Sequence, residues 1–175
     1  MAIVTYQQLR DRRPPPTESG STCLRWLVED MMTTLIVPDY QRGHVWTPGQ
    51  SSAFLGHWLE GGYVGPIYTQ RWRDPFRSDE LVDGLQRVTA WTGFYRNEIP
   101  AQLHDGLRFY LEQMDPEDQR RVASHSGCVI NLAHLKLGSR AEVLRFYLRM
   151  NRGAVIHAPE ELNRVEGLLA LEEGQ

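Results

Sequence analysis

The residues whose types and spacing can do chemistry lie together in Leu81-Val82-Asp83-Gly84-Leu85-Gln86-Arg87-Val88-Thr89. A short apolar run ends in Asp-Gly, and an amphipathic segment begins at once, with Leu85, Val88, Thr92 and Tyr95 at helical spacing. Asp83 is expected to be the N-cap, and Gly84 to permit the tight strand-to-helix turn. Such a turn aims backbone N–H groups and the positive end of a helix dipole at one point, which suits a phosphate. Arg87, in the first turn, adds a forked donor to the same anion, and Asp83 a carboxylate beside it. An anion cradle next to a carboxylate is the minimum for phosphoryl transfer. The plain alternative is an ordinary capped helix.

A second polar stretch, Asp39-Tyr40-Gln41-Arg42-Gly43-His44-Val45-Trp46, fits neither a helical nor a strand period. It is squeezed between Leu35-Ile36-Val37-Pro38, expected as a short buried strand, and Thr47-Pro48-Gly49-Gln50, a capping box with proline at the first helical position. A polar, aromatic loop on a rigid scaffold is where a site is expected.

The elements that must position these residues follow from the rest of the chain. Leu24, Leu27, Val28, Met31 and Met32 form one helical stripe, and Phe54, Leu55, Trp58 and Leu59 another, ended by Gly61-Gly62. Strands are expected over Val64 to Gln70, Glu80 to Val82, Leu107 to Tyr110 and Cys128 to Asn131, with a hairpin tip between the first two. Asp115-Pro116 opens a short polar helix, Ser139 to Glu142 caps another, and Pro159 starts a last one with Leu162, Val165, Leu168 and Leu169 inward. The domain is expected over residues 21–171, between a proline-bearing extended arm at 1–20 and a frayed tail at 172–175. Short strands interleaved with five or six helices make an α+β fold, not a doubly wound one.

Composition narrows the function. With 175 residues, 41% of them hydrophobic and 23% charged, the chain is expected to fold as one soluble cytoplasmic domain. No apolar run is long enough for a membrane span. Cys23 and Cys128 are the two cysteines, too few for a disulfide framework or a cysteine zinc site. Of the nineteen basic residues only Lys136 is lysine, so no P-loop is present. A net charge of −3 argues against a broad non-specific DNA face, although a local arginine patch remains compatible with it.

Three segments resemble one known family. Pro38-Asp39-Tyr40-Gln41-Arg42 through Trp46 and Gln50 is similar to the Pro-x-Tyr-Gln-Arg…Trp…Gln motif of the GmrSD-type N-terminal domain. Asp83-Gly84-Leu85-Gln86-Arg87-Val88-Thr89 resembles its Asp-Gly-Gln-Gln-Arg-Leu-Thr motif. Phe146 to Asn151, with Gly153 and Glu161-Leu162, is similar to its closing segment. The resemblance implies a ParB/sulfiredoxin-like fold, a small partly open mixed sheet surrounded by helices, with the Asp-Gly turn as phosphate cradle. Leu85 departs from the family in replacing a glutamine, which removes one amide and leaves the backbone N–H in place.

The resemblance also implies roles. Asp83 would hold Mg²⁺ or take a proton, or else serve as a plain cap. Arg42 and Arg87 would neutralise charge on phosphate oxygens, or form salt bridges with Asp39 or Asp83. Gln41 and Gln86 would orient an acceptor or a water, or brace a loop. Tyr40 and Trp46 would flank a base or pack in the core, and Gly84, Leu85 and Asn151 would complete the nucleotide site. On this basis the chain is expected to be a nucleotide-dependent phosphotransferase. Specifically, it would be a DNA kinase of phage type, acting in the host cytoplasm. It would move the γ-phosphate of ATP or GTP, with Mg²⁺, to a hydroxyl of a modified base of the hydroxymethyl-uracil kind. The alternatives are an NTP-hydrolysing, modified-DNA-sensing subunit whose nuclease is a separate chain, and a non-catalytic nucleotide- or DNA-binding module.

Overall fold

The computed structural model describes residues 17–41, 43–74, 77–151 and 159–174. Its elements in chain order are β1 (Glu18–Thr22), α1, α2 (Pro48–Leu59), β2 (Ile67–Gln70), β3 (Glu80–Asp83), α3 (Leu85–Tyr95), β4 (Ala101–Gln102), β5 (Arg108–Phe109), a 3₁₀ turn (Leu111–Gln113), α4 (Pro116–Ala123), β6 (Ile130–Leu135), α5 (Arg140–Asn151) and α6 (Pro159–Glu173). Helix α1 starts as Leu24–Trp26, passes through a π-helical stretch, Leu27–Met31, and ends as Met32–Thr34. The fold is α+β, as expected.

The main sheet has the order β1-β6-β2-β3 and is mixed. β6 runs parallel to β2, with Ile67 opposite Leu132, and both outer pairings are antiparallel. Alternation along the strands divides the side chains between two cores. Ile67, Leu81, Ile130 and Leu132 pack with Leu24, Leu27, Leu55, Val88, Trp91 and Phe94 from α1, α2 and α3. Val82 and Leu135, from the other face, pack with Val143, Leu144, Phe146 and Val165 from α5 and α6. Each of these side chains contributes roughly 1.5–3 kcal/mol on leaving water.

Local signals explain several elements. Thr47 and Gln50 form the expected capping box: the Gln50 N–H donates to Thr47 Oγ1 at 3.2 Å and the Thr47 N–H to Gln50 Oε1 at 2.8 Å. Other expectations need correction. Residues 18–22, placed at the junction of the arm, are an edge strand; Glu-Ser-Gly-Ser-Thr carries no apolar alternation because an edge strand of this sheet is largely solvated. Residues 1–16 of the arm lie outside the described residues. Ile36 and Val37 are not a buried strand: they are 50% and 43% exposed, and Ile36 makes only an isolated bridge to Glu80. The strand expected at Cys128 to Asn131 begins instead at Ile130 and continues to Leu135. The tail expected to fray from 172 is helical through Glu173, held by Arg145 Nη2 to Glu173 at 2.6 Å and Arg140 Nε to Glu172 at 3.4 Å.

One close approach fixes how α2 lies on the small β4–β5 ribbon. A Cβ placed on Gly56 would sit 1.8 Å from the carbonyl oxygen of Gln102. In an open helix, Gly→Ala gains up to about 1 kcal/mol. Here the obstacle is backbone, and overpacking costs about 1–3 kcal/mol or more, so the clash wins. Gly56→Ala should lower the unfolding free energy by at least about 1 kcal/mol in urea unfolding; an unchanged or raised midpoint would contradict this packing.

Candidate active site

The turn from β3 to α3 is built as a cradle, by a different residue from the one expected. Gly84 is the N-cap, in the left-handed region at φ 110°, ψ 9°. It makes no side-chain cap, and Asp83 ends the strand without capping the helix. The carboxylate of Asp83 instead accepts from Arg87 Nη2 at 2.8 Å, across one turn. Asp83 as N-cap is therefore corrected: an i, i+4 ion pair to a guanidinium outcompetes the weaker bond to a backbone N–H. The first bond inside the helix is Val88 N–H to Gly84 C=O at 2.9 Å, so the N–H groups of Leu85, Gln86 and Arg87 are those a helix start leaves over.

Arg87 fastens three pieces at once. Its Nη1 donates to the carbonyls of Val64 and Pro66 at 2.8 and 2.9 Å, while Nη2 holds Asp83. The guanidinium lies against Gly65 and Gly84, where a Cβ would come within 3.3 Å of its nitrogens. Both glycines have positive φ, so a side chain at either would strain the backbone as well as crowd the guanidinium. The Arg87 side chain is 14% exposed and that of Asp83 32%. Three of the five guanidinium protons are used, which leaves two without a partner among the described residues.

Gln86 braces the motif loop. Its Oε1 accepts from the N–H groups of Val45 and Trp46 at 2.9 and 3.2 Å, and its Nε2 donates to the Gly43 carbonyl at 3.1 Å. All three contacts are to backbone, so this amide spans α3 and the loop and is occupied. Gln41 does the same to β3, its Nε2 donating to the Leu81 carbonyl. Arg42 lies outside the described residues; its chain neighbours Gln41 and Gly43 are both fastened.

Tyr40 is 1% exposed, edge-on to Tyr147 at 5.2 Å, and its hydroxyl has no hydrogen-bond partner among the described residues. Burial pushes its pKa well up, reinforced by Glu80. It is a core residue and cannot flank a base, which corrects that expectation. Arg164 ties the Asp39 and Tyr40 carbonyls at 2.7 and 3.0 Å, and Arg140 pairs with Asp39 at 2.7 Å. Trp46 packs on Phe54 at 5.1 Å, and Leu85 packs against the same core. Asn151, 8% exposed, donates to the Tyr147 carbonyl at 2.8 Å, the bland use of a helix-end amide.

Tyr68 was not singled out in the sequence. It stands opposite Asp83 across the β2–β3 ladder, where the register slips between Tyr68 and Thr69. Such an irregularity re-aims the strand end beside a site. Its ring packs on Phe146 at 5.2 Å, and burial, with the Asp83 carboxylate next in effect, raises its pKa. Asp83, Tyr68 and Phe146 thus link the second resembling segment to the third, as Gln86 and Gln41 link the first to the second. The carbonyls at 64 and 66 and the residues Tyr68, Arg140 and Arg164 carried no motif. Residues 64–66, expected within the strand, precede it, and Gly65-Pro66 is the local signal of the loop that Arg87 grips.

For a divalent metal, Asp83 is the one carboxylate in place at the turn. Among the described residues no three His, Cys, Asp or Glu side chains gather as a ligand set. The Asp83 carboxylate is a donor that Mg²⁺ carried by a nucleotide could use, since that ion takes one or two carboxylates and completes its shell with phosphates and waters.

A family model described as GmrSD restriction endonuclease, N-terminal domain, matches residues 27–147. That span is more than half of the chain; it takes in the first two resembling segments and ends inside the third. No curated protein and no solved structure matches the chain.

Gln86→Ala removes three bonds to the loop and is expected to cost about 1–3 kcal/mol in urea unfolding. It should also speed hydrogen exchange at the Val45 and Trp46 amides, while Tyr40→Phe, which deletes an unpartnered hydroxyl, should lose no stability. Unchanged exchange in Gln86→Ala would show that the loop is held by other contacts.

Proposed function

The chain belongs to the GmrSD restriction endonuclease N-terminal domain family, and from that membership we propose that it carries out γ-phosphate chemistry on a nucleoside triphosphate within a restriction system acting on modified DNA. The observation that carries this reading is the conjunction at one turn: helix-start N–H groups, two remaining guanidinium protons of Arg87, and an Asp83 carboxylate with one oxygen outside the ion pair.

The phosphates sit against Leu85, Gln86 and Arg87, whose backbone N–H groups need no side chain, so leucine at 85 does not remove the cradle. Arg87 spreads charge developing on the transferred phosphoryl group. Asp83 Oδ1 accepts a proton from the attacking water or hydroxyl as the bond from the γ-phosphorus to the β–γ bridging oxygen breaks and the nucleoside diphosphate leaves, and Arg87 holds the carboxylate in place through Oδ2. Asp83 is the residue that would hold Mg²⁺ bound with ATP or GTP, and the ion would supply charge neutralisation at the phosphates. Gln86 and Gln41 are bracing residues, engaged with backbone. Arg42 adds a second cation from the motif loop. In this reading the sheet and its helices are of the ParB/sulfiredoxin-like kind, and the domain works together with a nuclease.

The family favours hydrolysis coupled to DNA sensing over transfer to DNA, and the destination of the γ-phosphate separates the two. The test incubates protein with γ-labelled ATP or GTP, Mg²⁺, and DNA that is plain or carries hydroxymethyl-uracil. Asp83→Asn is the control, because its amide oxygen can still accept from Arg87. Label released as free phosphate, altered by modified DNA and reduced at least about 100-fold in the variant, is the expected result. Label on DNA, lost in the variant, would establish the kinase. No release from the wild type, or release that Asp83→Asn retains, would overturn the assignment.

A further inference from the structure

A cavity on the sheet face opposite Tyr68 lies between the main sheet and α1. It encloses about 450 Å³ and is lined by Trp26 and Asp30 from α1, Thr69 and Arg71 from β2 and its end, Asp79, and His134 of β6. Thr69 and His134 belong to the sheet face toward α1; Tyr68, the residue opposite Asp83, points to the other face. The size falls within the ~300–1,000 Å³ of small-molecule sites. Asp30 belongs to the π-helical stretch of α1, an irregularity that is frequent at functional sites.

The protonation of His134 can be fixed from its neighbours. Arg71 Nη2 is 3.4 Å from His134 Nε2, and a guanidinium only donates, so Nε2 carries a lone pair. The ring proton is then on Nδ1 and is donated to Thr69 Oγ1 at 2.7 Å. Burial and the Arg71 charge hold the imidazole pKa below its usual range, in agreement with a neutral ring. The charged groups are therefore Asp30, Asp79 and Arg71. Two carboxylates face one guanidinium, and the Arg71–Asp79 contact is a loose 3.6 Å between half-exposed side chains. The Asp30 carboxylate has no partner among the described residues. Trp26 is 46% exposed at the rim and offers an indole face, while Met31 and Leu132 supply apolar wall.

We propose that this cavity binds a small organic cation, an alkyl amine or guanidine whose charged end meets Asp30 and Asp79 and whose stem lies against Trp26. An excess of acceptors with an aromatic wall selects cationic donors, through ion pairing and cation–π attraction. The same excess of negative charge repels phosphates, so nucleotides and DNA backbone are disfavoured here. The site is independent of the Asp83 reading.

The test is titration of the full chain with agmatine, putrescine and 1,4-butanediol by calorimetry, with ATP and inorganic phosphate as anionic controls. Saturable one-to-one binding of agmatine or putrescine is expected, with the neutral diol at least 10-fold weaker and phosphate absent. Asp30→Asn and Asp79→Asn should each weaken it at least 10-fold with unchanged melting temperature. Gly20→Val should block it by filling the cavity, since a Cβ there already comes 3.2 Å from His134 Nε2. No saturable binding of either cation, equal binding of the diol, or affinity that both carboxylate variants retain would overturn the proposal. Turnover of nucleotide, measured in parallel with the Asp30 and Asp79 variants, reports on the other site separately.

Discussion

The Arg87 guanidinium joins the sheet, the loop before it and helix α3. It faces an anion, Asp83, on one side and two carbonyls, of Val64 and Pro66, on the other, with glycine against it at both 65 and 84. Removing one partner of a buried ion pair costs about 3–5 kcal/mol, and a pair as partly open as this one lies at or below the lower end. That is still a large share of the ~5–15 kcal/mol that holds a domain together. The position of the Asp83 carboxylate relative to the first turn of α3 therefore follows from a single half-buried cation.

Bracing and chemistry are divided among neighbouring residues. Gln41 and Gln86, which in isolation look like groups waiting for a substrate, spend their amides on backbone. Tyr40 anchors the loop by burial, with Arg164 and Arg140 fixing the carbonyls and carboxylate around it. What remains for a ligand is small: N–H groups at the start of α3, two guanidinium protons and one carboxylate oxygen. In the function proposed, phosphate would be placed mainly by backbone, which tolerates leucine at 85.

The sequence carried much of this and missed parts for physical reasons. Periodicity found α1, α2, α3, α5 and α6, because each buries an apolar stripe in one of the two cores. The capping box at Thr47 was readable because both partners are local. Asp83 was misassigned as a cap because cap preference is a local rule and its true partner, Arg87, engages it through the side chain. Tyr68 and the carbonyls at 64 and 66 were invisible, since they reach the turn only through strand pairing and tertiary approach. Ile36 and Val37 looked like a core strand by composition, yet the sheet has its β3 edge there and leaves them half exposed.

The most direct measurement is the amide spectrum of ¹⁵N-labelled protein titrated with a non-hydrolysable ATP or GTP analogue and Mg²⁺. The largest shifts are expected at the amides of Leu85, Gln86 and Arg87, with Gly65 following because Arg87 holds its loop. Saturable binding that leaves those four amides unmoved would contradict a phosphate cradle at the start of α3.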